Sequence, residues 1–185
     1  YLDEKAAIRA HDATTPATTN FMGLFRPLDY QRWAEHLDFV SWDNYPPGDR
    51  EHARMALTHD LMRGLKQGDP FWVMEQTPTI TASRDVNPVK RPGVLRLWSW
   101  QSVAHGADAV LYFQMRQSRG ACETYHGALL DHAGRTDTRS FREAAALGAE
   151  FAKVGDALLG ARTPARAALV FDWNSWWASE MTDGL

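Results

Sequence analysis

This chain of 185 residues is poor in the features that would tie it together covalently or anchor it in a bilayer. Its single cysteine, Cys122, rules out a disulfide within the chain. That fits a reducing, cytoplasmic setting. No run approaches the roughly 20 apolar residues that a membrane span requires. Charge of one sign is also lacking: the formal net charge is -3, so neither a nucleic acid nor an anionic membrane is an expected partner. No glycine-rich turn follows the first β-prone segment, so the usual mark of a nucleotide-binding sheet is missing. An initiator methionine and a secretory signal pattern are absent too. The chain opens on a charged, helix-like run and stops shortly after a new segment begins. A piece of a longer protein is the expectation.

What is present is ordinary for a folded domain. Hydrophobic residues make up 44% and charged residues 23%, the balance of a soluble globular protein. Tyr1–Ala10 reads as a helix stopped by the His11–Pro16 cluster. Thr18–Met22 is β-prone, and Asp29 can cap a helix over Tyr30–Leu37. Phe39–Trp42 is an apolar run closed by loop residues through Gly48. Helical spacing covers Arg50–Gly68, and Phe71–Met74 is the next apolar run. A polar loop extends from Glu75 to about Pro92, where a helix to His105 can start. Ala109–Phe113 gives a fourth strand, and Ser140–Leu159 a long amphipathic helix.

Short apolar strands alternating with helices mark a parallel sheet buried on both faces. Four such units make half of an eight-stranded α/β barrel, a (β/α)8 TIM barrel. A doubly wound open sheet is the competing arrangement. Residues 1–161 are assigned to the barrel and 162–185 to a linker and the start of a second α/β domain. Ala167–Phe171, ending in Asp172-Trp173-Asn174-Ser175-Trp176-Trp177, is predicted as a strand, either another of the barrel or the first of that second domain, which the long helix before it favours.

In a parallel barrel the chemistry lies at the C-terminal ends of the strands. Asp43-Asn44-Tyr45 follow the second run, and Glu75-Gln76-Thr77 the third. Gln114, Arg116, Arg119, Glu123 and His126 follow the fourth. Glu75 stands at a strand end, where a nucleophile can be held within reach of a sugar carbon; it could also pair with an arginine or cap a helix. Cys122, Glu123 and His126 lack the separated ligand pairs of a zinc site, so no metal and no cofactor are predicted. Gripping neighbouring sugar hydroxyls suits Glu123 and His126 better, with a plain surface loop as the alternative. Of the tryptophans, Trp72 is expected in the core, as are Trp98 and Trp100 by their type, while Trp42 is left open. Cys122 is expected to be inert packing.

Several strings have a specific resemblance. Ser41-Trp42-Asp43-Asn44-Tyr45-Pro46, His59-Asp60-Leu61-Met62-Arg63-Gly64 and Met74-Glu75-Gln76-Thr77-Pro78 resemble family 42 of the glycoside hydrolases. Asn87-Pro88-Val89-Lys90-Arg91-Pro92-Gly93, Ala104-His105-Gly106-Ala107-Asp108, and Arg116–Glu123 with His126-Gly127-Ala128 do so as well, in the same order along nearly the whole chain. The resemblance implies a retaining β-galactosidase with a (β/α) barrel, in which Glu75 is the nucleophile. It further implies that Glu123 and His126 bind galactose hydroxyls and that Tyr45 hydrogen-bonds beside the nucleophile. The tail from about Pro164 resembles the opening of the family's trimerisation domain, which implies a homotrimer acting on a galactoside.

Two departures limit what the resemblance carries. The family's acid/base glutamate belongs to an Asn-Glu pair, and this chain has no such pair. Alone, the chain is therefore expected to be inactive and prone to misfold along its open sheet edges. The family's cysteine zinc cluster, present in some members, would also lie outside it. Ser83 stands where the family often has a tryptophan under the sugar, which opens the question of the exact substrate. An α-L-arabinopyranoside is the nearest rival, and a non-catalytic carbohydrate-binding or assembly module is the rival of another class.

Overall fold

In a computed structural model, the structure describes residues 1–48, 50–82 and 84–183. Ten elements follow one another: α1 (Leu2–Arg9), β1 (Asn20–Phe21), α2 (Tyr30–Ala34), β2 (Val40–Asn44), α3 (His52–Gly64), β3 (Phe71–Gln76), α4 (Val94–Ala104), β4 (Ala107–Tyr112), α5 (Arg139–Leu158) and α6 (Trp173–Asp183). The four strands form one parallel sheet in the order β1-β2-β3-β4. The order of the strands is their order in sequence. It lacks the reversal on which a doubly wound sheet depends, and it is the order of an arc of barrel wall.

Strand parity assigns each residue to a face. Val40, Trp42, Phe71 and Val73 point outward to the helices and are fully or almost fully buried. They join Phe21, Tyr30, Leu37, Met62 and Trp173 in one apolar cluster. Burying a side chain of this size stabilises by roughly 1.5–3 kcal/mol. Met55, Val94 and Trp98 make a smaller cluster between α3 and α4. The opposite, concave face carries Ser41, Asp43, Trp72, Glu75 and Leu111. Trp72 therefore departs from expectation: its indole is 36% exposed on the concave face, tilted against Phe39 with ring centroids 4.6 Å apart. It alternates with Phe71 and Val73, and two faces of one strand cannot share one core.

Local chemistry explains where the helices begin. The Asp29 carboxylate accepts hydrogen bonds from the backbone N–H groups of Gln31 at 3.0 Å and Arg32 at 3.3 Å, and Thr138 caps α5 by accepting from Phe141 at 3.3 Å. Gly106, with φ +100°, makes the turn from α4 into β4, a conformation that side-chain-bearing residues rarely adopt.

The tail differs from the expected strand. Residues 167–171 pair with no strand among the described residues, and Leu169 and Val170 are exposed. An exposed run can satisfy its backbone with water and needs no strand partner. The following Asp172-Trp173-Asn174-Ser175, expected to close that strand, starts α6 instead. Asp172 caps it, accepting from the Ser175 backbone at 2.8 Å and its hydroxyl at 2.7 Å. Trp173 is fully buried beside Tyr30, 5.3 Å between ring centroids. The Trp177 indole donates to the Arg26 carbonyl at 2.9 Å.

Candidate active site

The strand ends bring the polar residues together through a bulge. On β2 and β3, Trp42 pairs with Val73 but Asp43 pairs with Glu75, so Met74 is an extra residue on β3. The same irregularity appears against β4 between Val73 and Gln76. Strict alternation from Phe71 would turn Glu75 toward the helices. The bulge instead places it on the concave face and sends Gln76 behind the sheet. There Gln76 is fully buried and accepts a hydrogen bond from the Asn44 amide at 2.8 Å.

Both carboxylate oxygens of Glu75 are engaged. Tyr45 donates its hydroxyl to Oε2 at 2.6 Å, the short distance of a charge-assisted bond. Asn20, at the start of the sheet, donates its amide to Oε1 at 3.4 Å and to Oδ1 of Asp43 at 2.9 Å. Burial, followed by the hydrogen bond and charge of Glu75, raises the Tyr45 hydroxyl well above the ordinary tyrosine value, so it remains a donor. Burial and then the charge of Glu75 push the Asp43 carboxyl up to about 7.

The loop after β4 closes the other side. His126 is buried, with its ring edge-on to Tyr45 at 5.5 Å and to Phe113 at 5.1 Å between centroids. Burial holds its pKa below the ordinary histidine value. Its Nε2 has no hydrogen-bond partner within the protein, leaving a polar atom available to a ligand at this mouth. Glu123 is exposed, and its charge acts on both Tyr45 and His126. Glu75, Tyr45, His126 and Glu123 thus belong to one neighbourhood. Gly127 lets the loop dock: its N–H donates to the Ile80 carbonyl at 2.8 Å. A Cβ there would lie 1.9 Å from Oγ1 of Thr79.

Other candidates lie elsewhere. Arg116 is turned aside, donating to the His132 carbonyl at 3.2 Å. Trp42 is buried against His59, and Trp98 is buried in the smaller cluster. Trp100 reaches out to Glu150, donating its indole N–H at 2.9 Å. Cys122 is exposed rather than packed, because it sits on the outer turn of the β4 loop. Among the described residues no three His, Cys, Asp or Glu side chains are grouped to hold a metal ion. Nor, among those residues, is any helix long and apolar enough to cross a membrane. Ser83 lies outside the described residues. Asn20 was missed by sequence reasoning. It falls in the β-prone Thr18–Met22 run, but a strand of two residues gives too short an alternation to say which side chain faces inward.

Comparison with known proteins identifies the family and the fold. Residues 1–154 match the model of a glycoside hydrolase family 42 described as β-galactosidase. The β-galactosidase BgaP of Planococcus sp. (strain L4) is 54% identical over 184 residues, which is 100% of this chain and 27% of that protein. The β-galactosidase BgaB of Geobacillus sp. (strain Y412MC61) is 45% identical over 98% of this chain and 27% of its own length. The chain thus spans about a quarter of these relatives. The crystal structure of a β-galactosidase from Bacillus circulans sp. alkalophilus superposes with a TM-score of 0.92 at 50% identity, covering 96% of this chain and 26% of that one. The four-stranded sheet is accordingly a segment of that family's TIM barrel. By sequence and by fold, the chain belongs to family 42 of the glycoside hydrolases.

Proposed function

We propose that the protein containing this chain hydrolyses terminal β-D-galactosides with retention of configuration, and that Glu75 is its nucleophile. One observation carries the assignment: a carboxylate at a barrel strand end, turned to the concave face by a bulge and held by Tyr45 at 2.6 Å. The Tyr45 and Asn20 donors hold the carboxylate in one orientation for attack. Glu75 would attack the anomeric carbon and form a galactosyl ester, which water then opens. Retention needs a second carboxyl group about 5–5.5 Å from the nucleophile. No Asn-Glu pair occurs in this chain, so that group would come from another part of the protein. His126, through its free Nε2, and Glu123 would hold sugar hydroxyls.

Two further readings go with this one. The relatives' names favour galactoside over the arabinopyranoside rival. A homotrimer is proposed for the whole protein, built in part on residues 162–185, whose exposed Leu169 and Val170 suit a contact outside this chain. The lone cysteine supports a cytoplasmic location.

Glu75→Gln in the full-length protein is the test. A hydrolase should lose about three orders of magnitude or more in kcat on nitrophenyl β-galactoside, whereas a carbohydrate-binding module should hold galactose as before and show no turnover to lose. Preference for nitrophenyl α-L-arabinopyranoside over the galactoside would reassign the substrate.

A further inference from the structure

The double displacement uses one carboxyl group of this chain, yet the ends of β2 and β3 present two side by side. Asp43 is the register partner of Glu75 on the adjacent parallel strand, so both side chains leave the sheet on the same face. The single amide of Asn20, reaching across from β1, donates to both, at 2.9 Å to Asp43 and 3.4 Å to Glu75. We infer that Asn20 and Asp43 are positioning residues for Glu75: the Asn20 amide ties the two carboxyl groups together and fixes Glu75 against the Tyr45 hydroxyl. This rests on the proposed glycosidase function and adds two residues to its machinery.

Two carboxylates around one donor cannot both be charged cheaply, and the proton goes to the one with less support. Glu75 receives two donors, Tyr45 and Asn20; Asp43 receives the amide alone. Asp43 is also the group that burial and the neighbouring Glu75 charge raise to about 7. In mildly acidic solution Asp43 is therefore neutral. Above neutrality it is charged and competes for the bridging amide. Besides Glu75, the titratable groups that feel Asp43 are Tyr45 above it and Tyr30 on α2. Glu51, Arg54 and Arg84 line the same recess as Asp43 and Tyr45.

The test isolates the step that Glu75 performs. With 2-deoxy-2-fluoro-β-D-galactosyl fluoride, a Glu75 oxygen bonds to the anomeric carbon as the C–F bond breaks and fluoride leaves with the electron pair. No proton transfer is needed, so the acid/base group supplied by the rest of the protein does not set the pH dependence. The full-length protein should be labelled on Glu75, located by mass spectrometry, with an inflection in rate near pH 7. Asp43→Asn, which replaces the carboxyl group by an amide that does not titrate, should lose the inflection. Asn20→Ala should label about 10–100-fold more slowly while galactose competes with unchanged strength. A purely structural role for these residues would move the melting temperature and leave the pH profile alone. An inflection that persists in Asp43→Asn or is missing from the parent overturns the inference, as does parental labelling speed in Asn20→Ala. Each of these leaves the nucleophile assignment standing. Label on a residue other than Glu75 removes both.

Discussion

At the scale of single residues, hydrogen-bond donors decide what the site can do. Tyr45 gives Glu75 its shortest contact, 2.6 Å, and Tyr45→Phe removes that bond while keeping the ring against His126. We expect kcat to fall about 10–100-fold with KM within about threefold, since the bond matters most as the carboxylate approaches carbon; steady-state kinetics on nitrophenyl galactoside decide it. His59 makes a pH prediction. It is fully buried between Trp42, Phe71 and His105, and burial lowers its pKa to about 3 from an ordinary 6.5. Below pH 6.5 the unfolded chain binds a proton there that the folded chain refuses. Its contribution is therefore intact above that pH and lost as pH falls toward 3, by up to ~1.4 kcal/mol per pH unit. Urea denaturation midpoints should show a steeper acid decline in the parent than in His59→Asn. These residues were unequally legible. Glu75, Tyr45 and His126 stood beside apolar runs and in specific strings. Asn20 had no such flag, because its role depends on a reach across two strands.

At the scale of elements, strands and helices were readable from apolar runs and caps, and their ends were not. Asp29 was a visible cap and α2 begins behind it, but the helix stops at Ala34, earlier than the predicted Leu37. Asp172 was an equally good cap, obscured by the apolar run before it. The bulge in β3 had no sequence mark at all, since Phe71–Gln76 reads as a plain run and the extra residue shows only against two neighbours. Deleting Met74 tests its importance. With Met74 gone, Glu75 follows Val73 directly and plain alternation keeps it on the concave face beside Asp43; glycosyl transfer should survive, weakened by the shifted strand end, with the folded far-ultraviolet dichroism retained. Gly127 is the second pressure point. Gly127→Ala would press on Thr79 and on the Ile80 backbone, costing about 1–3 kcal/mol. With His126 displaced, kcat/KM should drop about tenfold or more, measured alongside the melting temperature.

At the scale of the whole molecule, residues 1–185 carry the proposed nucleophile without an Asn-Glu partner. Expressed alone, they should show no galactosidase turnover above background. They should also bind a hydrophobic dye and associate, because Trp72 and Leu111 lie open on the concave face. Light scattering and dye fluorescence check both. Alternation showed a parallel α/β sheet and favoured a barrel over a doubly wound sheet, whereas membership of family 42 rested on strings and not on periodicity. The sheet ends on β1 at one side and β4 at the other, and each end offers unpaired backbone groups. An edge of this kind can accept a complementary stretch of wall supplied on a separate polypeptide. Co-expression with the remainder of a family member would then reunite the two halves of the reaction from two gene products, neither of which turns over substrate by itself.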